Sequence, residues 1–259
     1  MSEKTAPRVR VWDLPTRVFH WLLVTLIFCA WASFEFSDKI GDTSLLWHRL
    51  NGYAILVLII WRLLWGLVGS PASRFSNFLV WPWNAMRYGV DLARGRERHF
   101  LGHNPLGSYM IIALLGLVAF QGTLGLFATE HNYVTWGPLS SIVDEESSKT
   151  LTKRHVWLFD NVLLIFIGAH VAANLLYRLI KKDQLIEAMV IGSKPPADYA
   201  DQMVAIGTTD TASSGDREVT TAAATTASSG TIVRALVCLV LAVAIFVGAV
   251  LSLGGKFLS

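Results

Sequence analysis

The sequence predicts an all-α integral membrane protein, with four transmembrane helices in a bundle and a fifth carboxyl-terminal one on a flexible linker. Three observations carry that prediction. Hydrophobic residues make up 53% of the 259 residues and charged residues 16%, against about 25% charged in soluble domains. Mean hydropathy is +0.46. Five apolar runs, roughly 18–36, 47–68, 107–128, 156–178 and 232–254, are each long enough for the ~20 helical residues that cross a ~30 Å hydrocarbon core. Helices are the expected form, because lipid offers the backbone no hydrogen bonds and these runs are too continuous for the alternating strands of a barrel.

This composition excludes a disordered chain, a collagen and a disulfide scaffold. Cys29 and Cys238 both lie inside apolar runs and make no disulfide framework. Neither sits in a C-x-x-C-H, which excludes covalently attached c-type haem. The net charge is +3, but no basic patch interleaved with aromatics exists to bind nucleic acid. Basic residues in a membrane chain instead set topology.

Taken in order, the amino-terminal tail carries Lys4, Arg8, Arg10 and Arg17 before the first run. Ala30-Trp31-Ala32 has the form of a signal-peptidase site. The polar leader is long, however, and cleavage would remove His20, so the first run is read as a retained span. The 69–106 loop carries Arg74, Arg87, Arg94, Arg96 and Arg98, and Lys181, Lys182, Lys194 and Arg217 follow the fourth run. The opposite side has Lys39, Lys149, Lys153, Arg154 and Lys256, so the balance is thirteen against five. The amino terminus is therefore expected in the cytoplasm and the carboxyl terminus in the periplasm.

Within the 69–106 loop, Trp81, Trp83 and Tyr88 among arginines predict an amphipathic segment at the inner interface. Residues 179–191 read as a cytoplasmic continuation of the fourth helix. From residue 193 to 231 the chain turns to Ser, Thr, Ala and Gly, which cannot bury a core. The expected organisation is a bundle over 1–192, a linker over 193–231 and a further helix over 232–254.

Four of the seven histidines, His20, His48, His155 and His170, lie in or at the ends of spans. Imidazole in a membrane is costly and marks function by default. Their depths pair them: His48 with His155 on the outer side, His20 with His170 on the inner. Two helices each presenting one neutral imidazole can ligate a haem iron from both faces. His155 and His170 are fifteen residues apart, about 22 Å along a helix and about 60° around it, enough to stack two haems facing one interior. A single interfacial histidine would more simply snorkel; four paired by depth on three helices would not.

The residues around these histidines also bring a resemblance. Val11-Trp12-Asp13-Leu14-Pro15-Thr16-Arg17-Val18-Phe19-His20-Trp21 resembles the opening of bacterial b-type cytochromes of the cytochrome b561 and nickel-hydrogenase cytochrome subunit family, relatives of the formate dehydrogenase membrane subunit. Trp47-His48-Arg49 with Gly52, Gly102-His103-Asn104-Pro105-Leu106-Gly107, and His155 through His170 follow in the same order. The resemblance covers about residues 8–195. It implies a four-helix core, two b haems, and electron transfer involving a quinone pool or a partner redox subunit such as a cytochrome c. The fifth span departs from that pattern.

Other candidates are secondary. Arg49, beside His48, suits a haem propionate; Arg62, inside the second span, either does the same or snorkels to the inner interface. Asp160 in the fourth span and His131 in the outer loop are candidates for quinone protons, Asp160 alternatively facing an aqueous pocket. His99 and His103 have i, i+4 spacing, but Gly102 and Asn104-Pro105 argue for a loop. The leading expectation is a respiratory di-haem cytochrome of the bacterial inner membrane. A stand-alone superoxide:quinone oxidoreductase of the same plan would use Lys149, Lys153 and Arg154 as an outer basic pocket. A haem-free transporter using the same histidines is the third alternative.

Overall fold

The computed structural model describes residues 8–41, 43–129, 136–208 and 228–257. Among the described residues, five helices are long and apolar enough to cross a membrane: Leu14–Glu35, Thr43–Val68, Pro105–Leu126, Glu145–Lys181 and Ser229–Ser252. Four of them begin at a polar residue that caps the first turn. The Asp13 carboxylate accepts the Thr16 amide at 2.6 Å, the Asn104 side-chain oxygen accepts the Gly107 amide at 2.7 Å, and Asp144 accepts the Ser147 amide at 2.9 Å. Ser228 accepts the Thr231 amide at 3.3 Å. Caps of this type satisfy donors that no carbonyl can reach, and Pro105 at the first position loses nothing by lacking one. The amphipathic segment of the 69–106 loop is the helix Pro82–Ala93.

The fourth span changes pitch along its length. It is α-helical over Glu145–Leu158, π-helical over Phe159–Leu163, α-helical over Leu164–Leu176 and π-helical over Tyr177–Lys181. It does not continue to residue 191 as expected. Lys182 takes the left-handed conformation, with φ 56°, and a separate helix runs over Leu185–Ile191. The break has a partner-driven cause: the Asp183 carboxylate leaves the helix direction to pair with the Lys194 ammonium at 3.0 Å.

The chain forms two compact units. The first comprises Met1–Val18, Trp65–Ile111 and Val171–Ala235. Its core is Val11, Trp12, Ala72, Leu101, Ala188, Tyr199 and Val204. A small antiparallel sheet joins β1 (Val9–Arg10) to β2 (Ser193–Lys194) on one side and β3 (Gly207–Thr208) on the other. Gly192 makes the turn into β2 with φ +86°; a Cβ there would lie 2.8 Å from the Trp12 carbonyl oxygen.

This unit corrects the expected linker boundary. Residues 193–208 are part of the folded unit and not a tether. The Lys194 side chain, 1% exposed, donates to the Phe100 carbonyl at 3.0 Å, and burial holds its ammonium pKa below the ordinary value while Asp183 opposes that shift. The Asp201 carboxylate accepts the Leu101 amide at 2.6 Å and the Gly102 amide at 2.9 Å. A polar composition did not prevent ordering, because these few side chains anchor the strand to backbone groups far away in sequence. The remainder of the expected linker, 209–227, lies outside the described residues.

The second unit comprises Phe19–Leu64, Ile112–His170 and Leu236–Ser259. Here Leu56 of the second span and Leu139 of the outer loop pack with Phe246 and Val250 of the fifth. Cys238, Ala242, Phe246 and Val250 are the buried residues of the fifth span. They recur every fourth position, one face of a helix. The fifth span thus docks within this unit along that stripe. Van der Waals fit drives such docking, since lipid tails are as apolar as the residues they would replace.

Candidate functional site

All four candidate histidines fall in the second unit. His48 of the second span and His155 of the fourth meet with ring centroids 6.0 Å apart and planes at 87°. Each is held from behind by a main-chain carbonyl. His48 Nδ1 lies 2.8 Å from the Ala30 oxygen, and His155 Nδ1 lies 2.9 Å from the Gln121 oxygen. A carbonyl can only accept, so each Nδ1 must carry the proton, and each Nε2 keeps its lone pair. That is the arrangement a metal-ligating imidazole needs from its surroundings. The Gln121 amide nitrogen stands 3.3 Å from His155 Nε2.

Gly125, one turn beyond Gln121 on the third span, makes room for this packing. A Cβ there would lie 3.1 Å from His155 Cε1 and 3.4 Å from Nδ1. A methyl there would press the imidazole aside by a few tenths of an ångström, against the Nδ1 contact.

The inner tier is built differently. His20 and His170 are near enough to interact electrostatically. His20 Nδ1 is buried without a hydrogen-bond partner among the described residues, and the Trp21 ring stands edge-on to the imidazole at 5.0 Å. Phe19 stacks on Trp61 at 5.5 Å, which brings Arg62 to this level of the second span. Arg62 is 4% exposed; it stays inside the bundle and does not snorkel.

The π-helical turn at Phe159–Leu163 lies between His155 and His170. It accommodates about one extra residue without advancing the helix. The fifteen-residue separation therefore acts like fourteen, two heptads, and the angular offset changes from about 60° to about 40° in the opposite sense. Both imidazoles still address one side of the helix.

The other candidates separate from this arrangement. Arg49 donates through Nη1 to the Trp136 carbonyl at 3.2 Å, and its Nε is buried without a partner among the described residues. Asp160 sits on the π-helical turn with its side chain exposed. His131 lies outside the described residues. His103 is in a loop of the first unit, between the Trp12 and Phe78 rings at 4.6 Å each. Of the outer cations, Lys149 is paired with Glu145 at 2.5 Å, which draws it away from an open anion pocket. Sequence reasoning passed over Gln121 and Tyr53, although a lone glutamine in the 107–128 apolar run, four residues before a glycine, was a visible signal.

The donor set discriminates between a bare metal and a macrocycle. Among the described residues no group of three or more His, Cys, Asp or Glu is placed to hold a metal ion. A bare ion needs three or four protein ligands. Paired imidazoles suffice when the metal brings its own equatorial nitrogens, as haem iron does. The buried, unpartnered Nε of Arg49 fits a haem carboxylate in the same way. A family model described as prokaryotic cytochrome b561 matches residues 11–192. No curated protein and no solved structure matches the chain.

Proposed function

The chain belongs to the prokaryotic cytochrome b561 family, and from that premise we propose that it is a di-haem b-type cytochrome carrying electrons across the bacterial inner membrane between a quinone pool and a partner redox protein. Membership brings haem b binding and a multi-pass bacterial membrane location. The observation that supports two haems is the two-tier arrangement of histidines on the first, second and fourth spans, with the outer pair locked as Nδ1–H tautomers by Ala30 and Gln121.

Haem iron supplies one-electron redox chemistry when bound. The protein's part is to hold and tune. In this reading His48 and His155 ligate the outer haem, and His20 and His170 the inner. Arg49 at the outer tier and Arg62 at the inner offset propionate charge. The thirteen-to-five distribution of basic residues supports an amino terminus in the cytoplasm and a carboxyl terminus in the periplasm. Asp160 and His131 are the residues proposed to serve quinone protons.

The test is haem-to-protein stoichiometry with a reduced-minus-oxidised spectrum of the purified chain. Two b haems support the reading. No haem in a folded preparation overturns it.

A further inference from the structure

Arg49 Nε is not the only buried donor left over at the outer tier. The Tyr53 hydroxyl is also buried without a hydrogen-bond partner among the described residues. The two residues are four apart on the second span, so they share one helical face. Both orphan groups are donors: a guanidinium N–H is obligatorily so, and a phenol O–H can be. Two adjacent donors with no acceptor call for a ligand that carries acceptor oxygens, and an anionic carboxylate satisfies both with charge-assisted hydrogen bonds. His48 is next to Arg49 in the chain, so the pair lies at the depth of the outer tier.

What holds Tyr53 there comes from outside the family-matched region. Its ring packs against Phe246 of the fifth span at 5.7 Å and edge-on against Phe257 at 5.5 Å. Those two rings lie 5.9 Å from each other. The end of the fifth helix is itself pinned to the outer loop, where the Lys256 amide donates to the Pro138 carbonyl at 3.0 Å. Residues 246–257 therefore wall Tyr53 on the side away from the second span's own backbone.

We propose that Tyr53, oriented by Phe246 and Phe257 of the appended fifth span, joins Arg49 as a donor to the propionates of the outer haem, and that the fifth span thereby sets that haem's potential. The inference rests on the di-haem reading above. Neutralising propionate charge and excluding water both disfavour the more positive ferric state, so the intact wall raises the potential of the outer haem.

The experiment is an equilibrium redox titration of the full chain, read by α-band absorbance, with the outer haem identified as the one lost in His48→Ala. Tyr53→Phe keeps the ring and its packing and removes only the hydroxyl. It should lower the outer midpoint by about 59 mV, a tenfold change in a one-electron equilibrium, and leave the inner midpoint alone. Phe257→Leu should shift the outer midpoint in the same direction, and the double variant should shift it by less than the sum. Unchanged midpoints in Tyr53→Phe, or equal shifts of both haems, overturn the inference. So does an unchanged midpoint with quinol reactivity lost, which would assign the two donors to a quinone. Absence of haem from the folded wild-type chain would instead overturn the di-haem reading itself.

Discussion

Replacing Gly125 by Ala tests how the third span positions His155. The added methyl would lie 3.1 Å from Cε1 and 3.4 Å from Nδ1 of that ring, so the imidazole must move by a few tenths of an ångström. That movement works directly against the 2.9 Å contact of Nδ1 with the Gln121 carbonyl. Alanine is favoured over glycine inside a helix by about 0.5–1 kcal/mol, while overfilling a packed site costs about 1–3 kcal/mol. Gly116 supplies the control. It lies on the same helix, nine residues earlier and about 180° around, and a Cβ there meets nothing within 4 Å. Gly116→Ala should keep the helix benefit alone. The difference between the variants is then about 1–3 kcal/mol, which is about 5- to 140-fold in haem affinity at 1.4 kcal/mol per tenfold. Loss of a residue supporting a metal ligand has a similar range, about 10- to 100-fold. The assay is the rate of haem transfer from each purified variant to an apoglobin scavenger, with the outer and inner haems followed by their spectra. Equal outer-haem retention in the two variants would refute the reasoning.

The remaining predictions concern the ligands and the first unit. His48→Ala and His155→Ala should each lose one and the same haem, and His20→Ala and His170→Ala the other, as read by pyridine haemochrome content; loss of both haems from every variant would contradict separate tiers. Asp201→Ala removes the acceptor for the Leu101 and Gly102 amides, each such bond to a charged group contributing about 1.5–3 kcal/mol. Hydrogen exchange at those two amides should accelerate, and unchanged protection would show that residues 193–208 are not anchored there. The Glu97 carboxyl is held below its ordinary value of 4.5 chiefly by the Lys181 ammonium. Its folded pKa is depressed, so its stabilisation is complete above about pH 4.5 and is lost as pH falls through the lower folded value. Glu97→Gln should therefore flatten the acid limb of the stability profile, measured by thermal unfolding between pH 3 and 6, and an identical limb in the variant would refute the pairing.

The sequence alone determined the helical membrane class and the number of spans, and it singled out four histidines as candidate ligands. Those features follow from local composition: apolar runs of the right length, and the cost of an imidazole in lipid, both of which act through the chain's own neighbours. The caps at Asp13, Asn104, Asp144 and Ser228, first seen in the structure, are equally local, because a cap reaches only two or three residues along. Tertiary structure decided whatever depends on partners distant in sequence. Gln121 could not be seen as the group behind His155, since thirty-four residues separate them. The linker boundary failed for the same reason, because Lys194 and Asp201 are ordered by Phe100, Leu101 and Gly102, about a hundred positions away. The π-helical turn between His155 and His170 is an adjustment of the whole helix that no residue type announces. The docking of the fifth span onto Tyr53 and Leu56 is likewise a matter of shape, because in a membrane fit between surfaces, and not apolarity, chooses the partner.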